Sequence, residues 1–120
     1  MTYTQFDYGY ISALGQLFIP QAMQRKSQIK AYQYNNDNNI VLVKCEIEGG
    51  YIVIRHHDTL PYDEYRKMQG NMPKDVRAID ELGRVILARG LREALRIASH
   101  DAVKIYLSAD GAIRVRPLVI

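Results

Sequence analysis

The chain has 120 residues, one cysteine and a formal charge of +3, which suits a single domain over 1–120 that builds its core without staples. Apolar and charged fractions of 48% and 24% are those of a folded globular protein and argue against disorder. A lone thiol excludes an internal disulfide, no apolar run reaches the roughly 18 residues of a membrane span, and no basic start leads into an apolar stretch as in a secretory leader, so the expected compartment is the cytoplasm.

The first segment with a pattern is Tyr10 to Phe18. Ile11, Leu14 and Phe18 fall at helical spacing and Pro20 disrupts the run, which predicts an N-terminal amphipathic helix. Ser27 to Tyr34 reads as a strand. Asn35-Asn36-Asp37-Asn38-Asn39 is a loop, because Asn and Asp tolerate left-handed backbone and bond to their own main chain.

Ile40 to Glu48 and Tyr51 to His57 are rich in β-branched residues and flank Gly49-Gly50, a two-residue hairpin loop. That loop pairs Glu48 with Tyr51, Ile47 with Ile52 and Cys45 with Ile54. One face is then apolar (Val41, Val43, Cys45, Ile47, Ile52, Ile54). The other carries Lys44, Glu46, Glu48, Tyr51 and Arg55, with Leu42 and Val53 among them.

Pro61 to Met68 reads as a short helix, ended by Gly70-Asn71-Met72-Pro73. Lys74 to Ser99 reads as the main helix, with Val76, Ile79, Gly83, Ile86, Leu87, Gly90, Ala94 and Ile97 on one side. Gly90 marks an alternative break into two shorter helices. Around Asp110-Gly111 a three-residue loop, Ala109–Gly111, pairs Leu107 with Ile113 and Ile105 with Val115. A two-residue loop instead sets a charge, Arg114, opposite Leu107. The final strand is expected to lie on a sheet edge or to end at Pro117. No internal repeat stands out.

The expected fold is α+β. An antiparallel sheet of four to five strands, built from two β-hairpins, packs against one long or broken helix, with an N-terminal helix added.

Few residues suggest chemistry. His56-His57-Asp58 and His100-Asp101 are weak candidates for a metal site, without the i, i+4 spacing of helical ligands. They define a third reading, a small metal-dependent hydrolase. Cys45 reads as a small buried hydrophobe. Asp63, Glu64, Asp75, Asp80 and Glu81 have neighbours to pair with, as Asp80 has Arg84. No phosphate-binding Gly-rich fingerprint is present, and no cofactor, catalytic residue or metal ligand is assigned.

Two surface hints remain. Nine tyrosines are present, five of them in the first 34 residues, and tyrosine is enriched at protein interfaces. The leading expectation is a non-enzymatic binding protein that meets another protein or a second copy of itself through Tyr32, Tyr34, Leu42, Tyr51 and Val53. The alternative is a nucleic-acid-binding accessory protein. Its basic surface is Arg89, Arg92 and Arg96 on the main helix, with Lys104, Tyr106, Arg114 and Arg116 on the outer face of the last hairpin, where cations flank an aromatic ring.

Overall fold

The computed structural model describes residues 3–29 and 38–118. Among the described residues the elements run β1 (Tyr3–Tyr10), β2 (Gln16–Phe18), α1 (Gln21–Lys26), β3 (Asn39–Glu48), β4 (Tyr51–Pro61), α2 (Tyr62–Met68), β5 (Val76–Ile79), β6 (Arg84–Ile86), α3 (Arg89–Ala94), β7 (Ala102–Ser108) and β8 (Ile113–Pro117), with a 3-10 turn at Gln69–Asn71. Six strands form one antiparallel sheet in the order β1-β7-β8-β4-β3-β5, and β2 pairs with β6 in a second, two-stranded sheet. The protein is therefore mostly β, not α+β with a long helix.

Both hairpins form in the expected registers. Glu48 opposes Tyr51 and Cys45 opposes Ile54. Leu107 opposes Ile113 and Ile105 opposes Val115. Gly49 and Gly50 both take left-handed backbone, with φ of 57° and 84°, as a two-residue hairpin turn requires. One departure lies further along β3–β4: Leu42 opposes Asp58 and Val43 opposes His56, so His57 is the extra residue of a bulge. The short helix after Pro61 is also present, as α2.

The two other expected helices do not exist. Tyr10 to Phe18 is the end of β1, a turn at Gly15 and β2; Leu14 and Phe18 are exposed while Ile11 and Leu17 are buried. Lys74 to Ser99 is β5, a turn at Gly83, β6 and the short α3. The apolar spacing that mimicked a 3.6-residue period comes from two short strands on either side of a turn. The Asp80–Arg84 pair is real, at 2.6 Å, but it spans that turn. One Asp80 carboxylate oxygen also accepts the backbone N–H of Leu82 and of Arg84. The expected strand at Ser27–Tyr34 is not seen over Ser27–Ile29, and its remainder lies outside the described residues.

The fold is an internal duplication, which the sequence reading missed. The sheet order reads the same from either edge once β1, β3 and β4 are matched to β5, β7 and β8. The turns match bond for bond. Gly15 N donates to Ser12 O and Gly83 N to Asp80 O, both at 2.9 Å; Ile19 N donates to Gly83 O and Leu87 N to Gly15 O, at 2.9 and 3.0 Å. Gly15 and Gly83 have φ of 81° and 90°. Pro20 and Ala88 precede α1 and α3 with nearly the same extended backbone. Gln24 Nε2 donates to Ile19 O, and Arg92 Nε to Leu87 O, in corresponding places. The halves interlock: β1 pairs with β7, β5 with β3, β2 with β6 and β4 with β8.

Between the two sheets lies one apolar cluster. Ile52, Ile54, Ile105, Ile113 and Val115 come from the large sheet; Ile11, Leu17, Ile19, Met23, Val85 and Leu87 come from the β2–β6 side. Each such side chain contributes about 1.5–3 kcal/mol by leaving water. No helix among the described residues is long and apolar enough to cross a membrane.

Candidate nucleic-acid interface

The outer face of the large sheet is set by strand alternation. Across β1, β7 and β8 one row reads Tyr8, Lys104, Arg116, and the next reads Phe6, Tyr106, Arg114 and, on β4, Val53. The residues of the last hairpin expected to share a face do so.

Their contacts are cation to ring. Lys104 Nζ lies 4.5 Å from the Phe6 ring centre, 5.4 Å from that of Tyr106 and 5.8 Å from that of Tyr8. The Arg116 guanidinium is 5.7 Å from the Tyr106 ring, and Tyr51 meets Tyr106 edge-on at 5.9 Å. Such contacts hold a cation in place without neutralising it. None of the ion pairs among the described residues involves Lys104, Arg114 or Arg116.

The first half provides the comparison. Lys44 and Arg55 sit where Lys104 and Arg116 sit, but there Glu46 and Glu48 stand in place of Tyr106 and Ser108. Lys44 pairs with Glu46 at 3.0 Å and with Asp75 at 3.7 Å, and Arg55 pairs with Glu48 at 2.6 Å. These partners raise the pKa of both cations, chiefly through the Glu46 and Glu48 hydrogen bonds. The same backbone thus carries a neutralised face in one half and an un-neutralised basic face in the other.

Arg114 is 5% exposed. Its Nε and that of Arg116 are buried without a hydrogen-bond partner among the described residues. A buried cation without a direct ion pair is costly, and among the described residues Arg114 forms none; Asp110 acts on it only as a nearby charge. At the hairpin tip Asp110 accepts Ser108 Oγ at 2.6 Å and Ala112 N at 3.0 Å. These bonds, then the nearby Arg114 charge, hold its carboxyl below the usual range.

The helical arginines follow a different path. Arg89 is exposed and paired with Glu93 at 2.8 Å. Arg92 is half-buried through its bond to Leu87 O, and Arg96 lies beyond the end of α3. Arg89, Arg92 and Arg96 line one shallow hollow, and Arg96 shares a second with Arg116. Helix and hairpin groups are therefore contiguous around the end of the sheet.

Three residues of the expected protein-contact surface fall among the described residues. Leu42 and Val53 are on the outer face but fully buried, Tyr51 is half-buried against Tyr106, and Tyr32 and Tyr34 lie outside the described residues. Three exposed aromatics, Phe6, Tyr8 and Tyr10, lie on β1, an edge strand among the described residues. Their i, i+2 alternation was the missed signal.

His56 and His57 are exposed on β4, with His56 Nε2 2.9 Å from Thr59 Oγ1. His100 has left-handed backbone after α3, with its N–H bonded to Ile11 O. Among the described residues no three of His, Cys, Asp and Glu are placed to hold a metal ion. Cys45 is buried and its thiol is pushed up to about 12, mainly by desolvation, which makes it a poor nucleophile. The chain matches no family model and no curated protein.

Proposed function

We propose that the protein is a non-enzymatic module that binds nucleic acid on the outer face of its second half. Lys104 and Arg116 meet phosphates, and the exposed rings of Phe6 and Tyr8 offer stacking surface beside them. The observation that carries this reading is the contrast between the halves: Tyr106 and Ser108 replace the two glutamates that neutralise the equivalent cations.

The test is fluorescence anisotropy with labelled single- and double-stranded DNA and RNA across a salt series. Binding is expected to weaken linearly in log–log form with salt. Lys104→Ala and Arg116→Gln should each weaken it and reduce the slope by about 1. Absence of binding to every probe at about 50 mM salt sinks the reading.

A second reading, contact with another protein or a second copy of the chain, is favoured by the edge position of β1. An edge carries unpaired backbone groups, and Phe6, Tyr8 and Tyr10 leave it largely exposed. Sedimentation across a wide concentration range decides it: a concentration-independent monomer excludes self-association.

A further inference from the structure

The duplication also breaks symmetry at the sheet end, and there it opens a pocket. Gln28 and Arg96 occupy corresponding places, each just before a buried isoleucine, Ile29 or Ile97. Gln28 is latched to the β7–β8 turn: its N–H donates to Gly111 O at 2.9 Å and its Nε2 to Asp110 O at 2.7 Å. A Cβ added at Gly111 would meet the Gln28 side chain at 2.8 Å, so no space is left there.

On the other side the turn is Gly49-Gly50, one residue shorter, and a Cβ added at either glycine meets nothing within 4 Å. A hollow of about 520 Å³ lies between this turn, the end of α3 and the end of β8. Its charged lining is Arg96 and Arg116; Tyr51 stands on one wall, and Ala94, Leu95 and Pro117 are apolar. Among the described residues no carboxylate lines it. Arg96 forms no side-chain hydrogen bond or ion pair among the described residues. Two arginines facing one hollow match the oxygens of a phosphate. The volume exceeds that of a bare phosphate and falls in the range of small-ligand sites.

We infer that this hollow is a binding site for the phosphate ester of a single nucleotide, with the phosphate between Arg96 and Arg116 and the sugar and base against Tyr51 and the apolar wall. The site rests on the nucleic-acid reading in that Arg116 belongs to both surfaces. The phosphate is that of a strand end, of an internal linkage, or of a free mononucleotide.

The experiment maps backbone amide shifts of the full chain with adenosine 5′-monophosphate, with adenosine, and with one oligonucleotide carrying either a 5′-phosphate or a 5′-hydroxyl. The monophosphate is expected to shift Gly49, Gly50 and Leu95, and adenosine is not. A preference for the 5′-phosphate strand identifies a strand end as the source, equal binding of both strands with the same shifts identifies an internal linkage, and shifts from the monophosphate alone identify the free nucleotide. Arg96→Gln and the pocket-filling Ala94→Leu should each lower monophosphate affinity about tenfold or more, while Arg25→Gln, the same charge change on α1, leaves it unchanged.

The site is overturned if no phosphorylated probe shifts these amides at about 1 mM, or if Arg96→Gln and Ala94→Leu bind as the parent does. Oligonucleotide binding that persists through Lys104 and Arg116 in that event leaves the sheet-face reading standing. Absence of oligonucleotide binding in the parent protein removes the sheet-face reading alone if the monophosphate still shifts these amides, and removes both if it does not.

Discussion

Val53 on β4 and Arg114 on β8 are cross-strand partners at the centre of the sheet, and they are the pair about which the two halves are related. On either side Ile52 opposes Val115 and Ile54 opposes Ile113, each pair exchanged with the other by the pseudo-twofold. One member of the central pair is apolar and the other is a cation, although the backbone treats them as equivalent. Arg114 pairs with no acid among the described residues and its Nε is unsatisfied.

That position predicts a separation of stability from binding. Arg114→Met should keep the fold and leave stability unchanged or raised by up to about 2 kcal/mol, because an apolar chain of similar length removes a buried charge. The same variant should bind oligonucleotides more weakly. Urea denaturation and anisotropy read the two effects; a marked loss of stability would show that Arg114 is satisfied in the native state.

The turn glycines should differ in cost. Both need left-handed backbone, but a Cβ at Gly83 lies 2.0 Å from Gln24 Nε2 and 2.9 Å from the Ile19 carbonyl, whereas the nearest atoms to one at Gly15 are those of the Arg92 guanidinium, at 3.0 Å. A guanidinium swings away and a backbone carbonyl does not. Gly15→Ala should cost about 1–2 kcal/mol, and Gly83→Ala clearly more, as measured by thermal unfolding of the two variants side by side.

Cys45 predicts an alkaline limit. Burial pushes its thiol up from 9.0 to about 12. Below pH 9 the thiol is protonated in both states and its contribution to stability is full. Between 9 and 12 only the unfolded chain ionises, so stability falls as pH rises, by about 1 kcal/mol for the first unit. Cys45→Val should remove that part of the slope in urea titrations at pH 8 to 10.5. A thiol reagent should label the native protein slowly, at a rate that tracks unfolding.

The interlocked strands predict that the halves survive a cut. The chain passes between them through the exposed residues 69–71, after α2 and before β5. A protease site placed there should yield two fragments that co-elute in gel filtration and part only in denaturant, because β1–β7, β3–β5, β4–β8 and β2–β6 all join one half to the other. Fragments that separate in native buffer would mean those ladders are too weak to hold without the covalent link.

What was legible in the sequence follows from range of interaction. The Gly49-Gly50 and Ala109–Gly111 loops fix their own registers, so both hairpins and the Lys104–Arg116 face could be read locally. Strands of three or four residues, such as Gln16–Phe18 and Arg84–Ile86, exist only because they pair with each other across the molecule, and their apolar spacing imitates a helix. The repeat is present in Leu14-Gly15 and Leu82-Gly83, each opening a short polar–apolar alternation, but residues 16–28 and 84–96 differ at every corresponding position. Leu42 and Val53 lie on the face that strand alternation assigns to them, but both are fully buried, which alternation alone does not report.

The loss of equivalence between the halves has a directional consequence. A platform with a true dyad presents the same groups to a strand whichever way it runs, and so cannot tell a 5′ end from a 3′ end. Here one end of the sheet is plugged by Gln28 and the other is open beside Arg96. If the proposed nucleic-acid reading holds, a strand laid across this sheet is expected to bind in one favoured polarity, without any reading of its bases.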